Sequence, residues 1–176
     1  MEGKPSFGSA AKPPRGNFQG PPRTAGGVTL CGACRRAGAC RLGLTKERVD
    51  DEGVTHFELA CPPDGEGAPR VAHGGWTSGV LDEVLGHVPG HYSQLAVTAT
   101  LTVNFLQPVP IEHPLRARAW VDRVEGKKWF ISGELTLASS GAVLANATGL
   151  WVAREFGEHF KGFREWLAQQ ERGDES

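Results

Sequence analysis

The pattern of apolar and polar positions predicts one long helix over residues 71–88, VAHGGWTSGVLDEVLGHV. Apolar residues recur there at spacings of three and four, which places them on a single helical face. These positions are Trp76, Val80, Leu81, Val84, Leu85 and Val88. The opposite face carries Ser78, Gly79, Asp82 and Gly86, so small residues surround one carboxylate. The Pro89-Gly90 pair predicts the end of the helix.

A strict alternation of apolar and polar residues predicts long strands after the helix. It is clearest over residues 95–105, LAVTATLTVNF, and it continues over 115–124, 129–137 and 143–154, with turns at 125–128 and 139–141. Residues 54–61, VTHFELAC, predict one strand before the helix. The order of one strand, one helix and four strands indicates an α+β fold in which a single antiparallel sheet packs on one buried helix.

The two ends of the chain differ in composition from its centre. Residues 1–27 are rich in proline and glycine and predict a flexible arm, with Phe18 as a possible anchor if the arm docks. Residues 28–154 form the predicted domain. In residues 155–176, apolar side chains at helical spacing (Phe156, Phe160, Phe163, Leu167) predict an amphipathic helix and tail, with the helix docked on the domain.

Length and charge exclude several classes of protein. The chain has 176 residues and a net charge of −1, which suits one domain with a real core and argues against bulk nucleic-acid binding. It has no apolar run of the roughly 20 residues that a membrane span requires. The first residues lack the apolar segment of a secretory signal, so we expect a cytoplasmic protein.

Four cysteines, Cys31, Cys34, Cys40 and Cys61, leave three interpretations open. The C-x-x-C spacing of the first two suits a structural zinc site, but the second C-x-x-C of a complete zinc signature is missing. The same spacing also suits a redox pair. The third interpretation is a set of reduced thiols in a cytosolic protein, and we therefore predict neither a metal nor a cofactor.

The predicted helix joins two chemical features. His73, Gly74 and Gly75 open it, and the N–H groups at a helix start can face an anion. Asp82 lies farther along the small-residue face, and Glu83 follows it on a different face as a second candidate acid. A carbonyl oxygen that gains negative charge would be stabilised by donors fixed at the helix start, by about 3 kcal/mol each in comparable sites.

The helix motif, followed by a strand that ends in NFLQPV and by the hairpin strands behind it, resembles the hotdog-fold acyl-CoA thioesterases of the PaaI-like type over residues 54–154. The resemblance implies a long central helix wrapped by a curved antiparallel sheet. It also implies that the Gly74 N–H binds the thioester carbonyl oxygen. Asp82 would act as base or nucleophile, and Thr98 would help to place the attacking water.

The resemblance further implies a homodimer or homotetramer with the site across a subunit interface and an acyl-CoA as the substrate. We expect His73, Gly75, Trp76 and Ser78 to contact that substrate, although Trp76 is bulkier than is usual after the HGG motif. Gly67 stands where several relatives place an Asn or Gln. A non-catalytic acyl-CoA-binding or sensor protein is therefore the alternative, with a hydratase as a third candidate. The acyl group, and the choice between CoA and an acyl-carrier protein, stay open.

Overall fold

A six-stranded antiparallel sheet wraps around one long helix in the computed structural model, which describes residues 13–173. The helices are α1 (Gly32–Ala37), α2 (Gly74–His91) and α3 (Phe156–Gly173). The strands are β1 (Leu44–Val49), β2 (Thr55–Leu59), β3 (Glu66–Ala68), β4 (Val71–Ala72), β5 (Ala96–Phe105), β6 (Leu115–Glu125), β7 (Lys128–Leu137) and β8 (Val143–Ala153). The large sheet has the order β1-β2-β6-β7-β8-β5. The predicted α+β hotdog architecture is confirmed.

Helix α2 fills the concave side of the sheet with the apolar face that the sequence predicts. The six apolar positions of that face are all buried, as is Thr77 beside them. Their burial against β5, β6 and β7 supplies the main apolar contact of the fold, since apolar area removed from water is its dominant stabilising contribution. Gly133 on β7 lets the helix come close, because a Cβ atom there would lie 2.5 Å from Leu85 Cδ1.

Both ends of α2 differ from the prediction. Residues 71–72 form the short strand β4, and the helix begins only at Gly74. At the other end Pro89 lies inside the helix, which continues to His91. A proline is tolerated there because it removes one hydrogen bond of the last turn only. The helix then closes with the Tyr92 N–H donating to the Pro89 carbonyl at 2.9 Å.

The sequence pattern missed α1 and β1, which precede the predicted first strand. Only Leu44 and Glu47 of β1 are buried, because a bulge in its pairing with β2 shifts the inward-facing position by one residue. The alternation that identifies a half-buried strand is therefore absent. The long antiparallel strand that the alternation over residues 95–105 predicts is confirmed as β5; it lies at the edge of the sheet beside β8, and its Phe105 is 57% exposed.

The N-terminal arm lies against the carboxyl end of α2 over its described part. The Gly16 N–H donates to the Tyr92 carbonyl at 2.9 Å, and the Phe18 N–H donates to the Ser93 carbonyl at 2.8 Å. The predicted flexibility of residues 1–12, like the predicted tail at 174–176, lies outside the described residues. In α3, Phe163 and Trp166 are 53% and 54% exposed. No helix within residues 13–173 is long and apolar enough to cross a bilayer.

Candidate active site

The start of α2 is built from three consecutive residues that the sequence analysis named. His73 is the N-cap, with extended backbone, and its Nδ1 accepts a hydrogen bond of 2.9 Å from the Gly75 N–H. Gly74 is the first helical residue and is exposed. Because the first N–H groups of a helix have no partner within it, this end offers donors to a ligand. His73 therefore has a defined structural role as the cap of the helix.

Gly67 lies directly beneath this cap. A Cβ atom at Gly67 would lie 2.6 Å from the Cα of His73, a distance that no real side chain could occupy without moving the backbone. The absence of an Asn or Gln at this position thus has a physical cause. Gly67 has no room for an amide side chain while His73 stays in place.

A cavity of about 390 Å³ lies beside the helix start. Its walls include Gly74 and Thr77 of α2 together with Phe105 and Leu106 at the end of β5. These two apolar side chains are 57% and 49% exposed. The helix motif and the NFLQPV segment, which carried the family resemblance, therefore meet at one surface.

Asp82 lies at a second cavity, farther along the same helix. Its Oδ1 accepts a hydrogen bond of 2.8 Å from the Thr98 hydroxyl on β5. The cavity measures about 430 Å³. Its lining includes Phe18, Arg23, Cys31, Asp82, Glu83, His87, Thr98 and Trp151. The two residues predicted to act on water thus share a hydrogen bond at the wall of a cavity large enough for a small ligand.

The structure does not bring Gly74 to this pair within one chain. Asp82 follows Gly74 by eight residues in an unbroken helix, a separation of about 12 Å at 1.5 Å per residue. A thioester carbonyl bound at the Gly74 N–H would therefore lie well beyond the reach of Asp82 in the same subunit. The helix start and the carboxylate face two different cavities.

The residues predicted to contact the substrate, His73, Gly75, Trp76 and Ser78, line neither of the two cavities. Trp76 is only 9% exposed and packs in the core against Gly65, whose Cβ atom would lie 3.0 Å from the indole Cδ1. Ser78 is half-buried and lines neither cavity. The bulk of Trp76 thus fills the core beneath the helix start.

A group of four charged or titratable side chains, centred on the buried Glu47, joins α2 to β1, and the sequence analysis missed this grouping. The Glu47 side chain is fully buried; its Oε2 accepts from the Thr29 N–H at 2.8 Å and lies 3.1 Å from His87 Nδ1. Its Oε1 lies 2.7 Å from His91 Nε2. The other ring nitrogen of His87 lies 3.3 Å from Glu83. His87 thus bridges a core carboxylate and a cavity-lining one.

The charge of this cluster follows from its geometry. Burial favours the neutral imidazole, but the hydrogen bonds that the charged ring donates to Glu47 and Glu83 outweigh it and raise the pKa of His87 to about 9. Burial likewise disfavours the Glu47 carboxylate, yet its bonds to His87 and His91 hold the pKa of Glu47 well below the usual range. At neutral pH the cluster therefore holds an imidazolium between two carboxylates.

One weak sequence signal pointed to this cluster: the spacing of Glu83, His87 and His91 at i, i+4 and i+8, which places them on one helical stripe. Both histidines lie near the carboxyl end of the helix, where histidine is common for its favourable interaction with the helix dipole. Their partner Glu47 lies on β1. The bulge in this strand breaks the two-residue alternation that would mark Glu47 as an inward-facing residue. Only the fold brings these residues together.

The cysteine segment lies against the Asp82 cavity. Cys31 is the N-cap of α1 and lines the cavity, while Cys34 is buried. Among residues 13–173, no three His, Cys, Asp or Glu side chains are grouped so as to hold a metal ion. The zinc interpretation therefore finds no support in the described part of the chain.

Part of the chain is similar to known proteins. Residues 70–143 match the family model described as Thioesterase superfamily. Acyl-coenzyme A thioesterase THEM4 of Bos taurus is 31% identical over 103 residues, which cover 58% of this chain and 42% of that protein. The chain thus spans about two fifths of the length of this curated relative.

Two solved structures have a similar fold. A crystal structure of a thioesterase superfamily protein matches with a TM-score of 0.57 and 26% identity, covering 60% of this chain and 54% of the other. The Escherichia coli PaaI protein, from the phenylacetic acid degradation operon, matches with a TM-score of 0.59 and 20% identity, covering 70% of this chain and 85% of the other. The second of these likenesses concerns the fold alone.

Proposed function

Because residues 70–143 match the family model of the thioesterase superfamily, we propose that this protein is an acyl-CoA thioesterase that hydrolyses the thioester of a small or medium acyl group. The observation that carries the proposal is the hydrogen bond between Thr98 and Asp82 at the wall of the 430 Å³ cavity. The curated relative, which bears the name acyl-coenzyme A thioesterase, supports the same reaction class.

Asp82 and Thr98 are arranged for the attack of water on a thioester. The Thr98 hydroxyl donates to one carboxylate oxygen and leaves its own lone pairs available to a water molecule. The second oxygen of Asp82 can then accept a proton from that water. The resulting hydroxide bonds to the carbonyl carbon, the carbon–sulfur bond breaks, and the departing thiolate takes up a proton. Direct attack by the carboxylate is the other route.

The oxyanion donor comes from a second subunit in this proposal. Gly74 and Asp82 of one chain lie about 12 Å apart along the helix, so they cannot act on the same carbonyl. If two α2 helices pack antiparallel across a two-fold axis, the helix start of each meets the carboxylate of the other. The exposed apolar residues Phe105 and Leu106, together with the unpaired edge of β5, support such an interface.

The cavity beside Asp82 supports the size class of the acyl group. Its volume of about 430 Å³ lies at the lower end of the range of small-molecule sites. Phe18 of the N-terminal arm forms one wall and Trp151 of β8 forms another. These apolar walls suit a short aliphatic or an aryl group.

One observation favours the alternative, a protein that binds acyl-CoA without hydrolysing it. Gly67 stands where several relatives carry an amide side chain, and its close packing on His73 leaves no space for one. Fewer groups would then orient the carbonyl and the water. Thr98 already supplies a hydroxyl next to the carboxylate, and for this reason we prefer the enzyme.

The decisive experiment measures thiol release from a panel of short, medium and aryl acyl-CoAs, with the wild type beside Asp82→Asn and Glu83→Gln. We expect Asp82→Asn to lower kcat at least a hundredfold while fold and oligomeric state stay unchanged. Glu83→Gln, the neighbouring acid, is the matched control. Equal activity of Asp82→Asn and the wild type would reject Asp82 as the acting group, and acyl-CoA binding without turnover by the wild type would favour the binding protein.

A further inference from the structure

Cys31 and Cys34 belong to one helical turn at the edge of the Asp82 cavity. Cys31 is the N-cap of α1 and lines the cavity, and Cys34 is the third residue of the helix and is buried. The pair is further defined by the Arg41 N–H, which donates to the Cys34 sulfur at 3.3 Å. Residues three apart at the start of a helix are close neighbours, and Cys31 has extended rather than helical backbone. Its torsions can therefore adjust to the short Cβ separation of a disulfide without unwinding α1.

The two cysteines differ in access. Cys31 is partly exposed and lines the cavity, so a small reagent that enters the cavity reaches its sulfur. Cys34 is only 3% exposed and lies behind it in the core. This arrangement gives one thiol the position of a nucleophile and the other that of a resolving thiol.

The pKa values of the two thiols are also shifted in opposite directions. The backbone N–H groups at the start of α1, that of Cys34 first, lower the pKa of the Cys31 thiol, because donors near a thiolate favour its charged form. Burial raises the pKa of the Cys34 thiol, since the charged form is disfavoured away from water. The accessible thiol is thus also the one that ionises more readily.

We propose that Cys31 and Cys34 are a redox-active modification site that a hydroperoxide oxidises to a disulfide beside the Asp82 cavity. The Cys31 thiolate attacks one peroxide oxygen, the O–O bond breaks, and Cys31 becomes a sulfenic acid while the released hydroxide or alkoxide takes up a proton. The Cys34 thiol then displaces the sulfenic oxygen as water. Two thiols have been oxidised, and hydrogen peroxide has been reduced to two waters.

Disulfide formation changes the cavity that Asp82 faces. The Cys31 side chain lines the cavity, so a bond to Cys34 changes that part of the wall. Thr29, two residues earlier, donates its N–H to Glu47 and links the segment before α1 to the buried Glu47–His87 pair. We therefore expect oxidation to lower turnover; this consequence rests on the proposed function, whereas formation of the disulfide does not.

The test treats the full chain with hydrogen peroxide and then alkylates the remaining thiols. We expect two of the four cysteines to become resistant to alkylation, peptide mapping to join Cys31 to Cys34, and dithiothreitol to restore both thiols. Thioester hydrolysis should fall and return with the thiols. Four alkylatable thiols after oxidation, a disulfide between Cys34 and Cys40, or stoichiometric zinc on the reduced protein would each overturn the proposal.

Single-cysteine variants test whether Cys31 is the nucleophile and Cys34 the resolving thiol. In Cys34→Ser the oxidation should stop at a Cys31 sulfenic acid that dimedone traps, and in Cys31→Ser no disulfide should form. Cys61→Ser is the control, because burial raises the pKa of the Cys61 thiol to about 11 and it should behave like the wild type. Peptide mapping of the disulfide uses the wild-type protein. The proposal can therefore be tested even if one of the variants misfolds. A wild type without any turnover would reject the proposed function and leave the disulfide measurement intact.

Discussion

The Thr98 hydroxyl donates a hydrogen bond of 2.8 Å to the Asp82 carboxylate and so joins the central helix to the edge strand β5. The two residues are sixteen positions apart, and the turn after α2 brings them together. Asp82 sits on a helix whose other face is locked in the core, whereas Thr98 sits on a strand with one free edge. The orientation of the carboxylate therefore depends on where β5 is held.

Removal of the Thr98 hydroxyl should lower activity without unfolding the protein. Thr98→Val takes away a hydrogen bond to a charged group, which is worth roughly 1.5–3 kcal/mol and corresponds to a tenfold to hundredfold loss in kcat/KM. Thr98→Ser keeps the hydroxyl and should retain most of the activity. Thr102→Val, at another exposed position of β5, is the matched control. Equal kcat/KM for Thr98→Val and Thr102→Val would contradict a role for the hydroxyl.

The Gly74 N–H can be removed with little change to the helix. Proline is well accepted as the first helical residue, and His73 already has the extended backbone that a following proline requires. Gly74→Pro should therefore fold and lose about 3 kcal/mol of oxyanion stabilisation, a loss of roughly a hundredfold in kcat. Gly74→Ala keeps the N–H and meets Phe105 only at 3.6 Å, an ordinary contact, so it should stay active. Similar kcat values for the two variants would reject the donor role.

Mixing two inactive variants tests whether the site spans two subunits. A dimer of one Gly74→Pro chain and one Asp82→Asn chain has one site with both defects and one site with neither. Random assortment should then restore about a quarter of the wild-type activity, since half of the dimers are mixed and each has one working site. Thiol release by the mixture after unfolding and refolding together is the measurement. A mixture as inactive as its components, with mixed dimers present, would place both groups in one chain.

The buried imidazolium predicts a pH dependence of stability. The pKa of His87 is raised from 6.5 to about 9 by Glu47 and Glu83, so the folded state binds the proton more tightly than the unfolded state. Its stabilisation is complete below pH 6.5 and is lost as the pH rises toward 9, with an upper limit of about 3 kcal/mol. Urea unfolding at pH 6.5 and 9 should show this decline in the wild type.

The matched variants isolate His87 in that measurement. His87→Gln cannot carry the charge, and the part of the decline that belongs to this site should disappear. His113→Gln, at an exposed position, should keep the wild-type dependence. An unchanged decline in His87→Gln would mean that other groups cause it.

The spacing of apolar and turn residues along the sequence was enough to predict several elements of this fold. The apolar face of α2 was predicted residue by residue, because burial of a helix against a sheet requires that spacing. The hairpin between β6 and β7 was predicted too, since Gly126 takes the positive φ of 59° that a tight turn needs. The placement of Gly74 and Asp82 on one helix also follows from the sequence, and with it the separation that calls for a second subunit.

The tertiary structure alone decided which groups surround Asp82. A bulge in β1 turns Glu47 inward to meet His87, and no periodic signal marks a bulge. The turn after α2 brings Thr98 to the carboxylate, and α1 places Cys31 at the cavity wall. Spacing along the chain fixes which residues share one helix or strand. Contacts between separate elements depend on how the whole sheet wraps the helix. For this physical reason the Glu47–His87 contact and the place of Cys31 were not predictable from the sequence, and the pairing of Thr98 with Asp82 was expected only from the family resemblance.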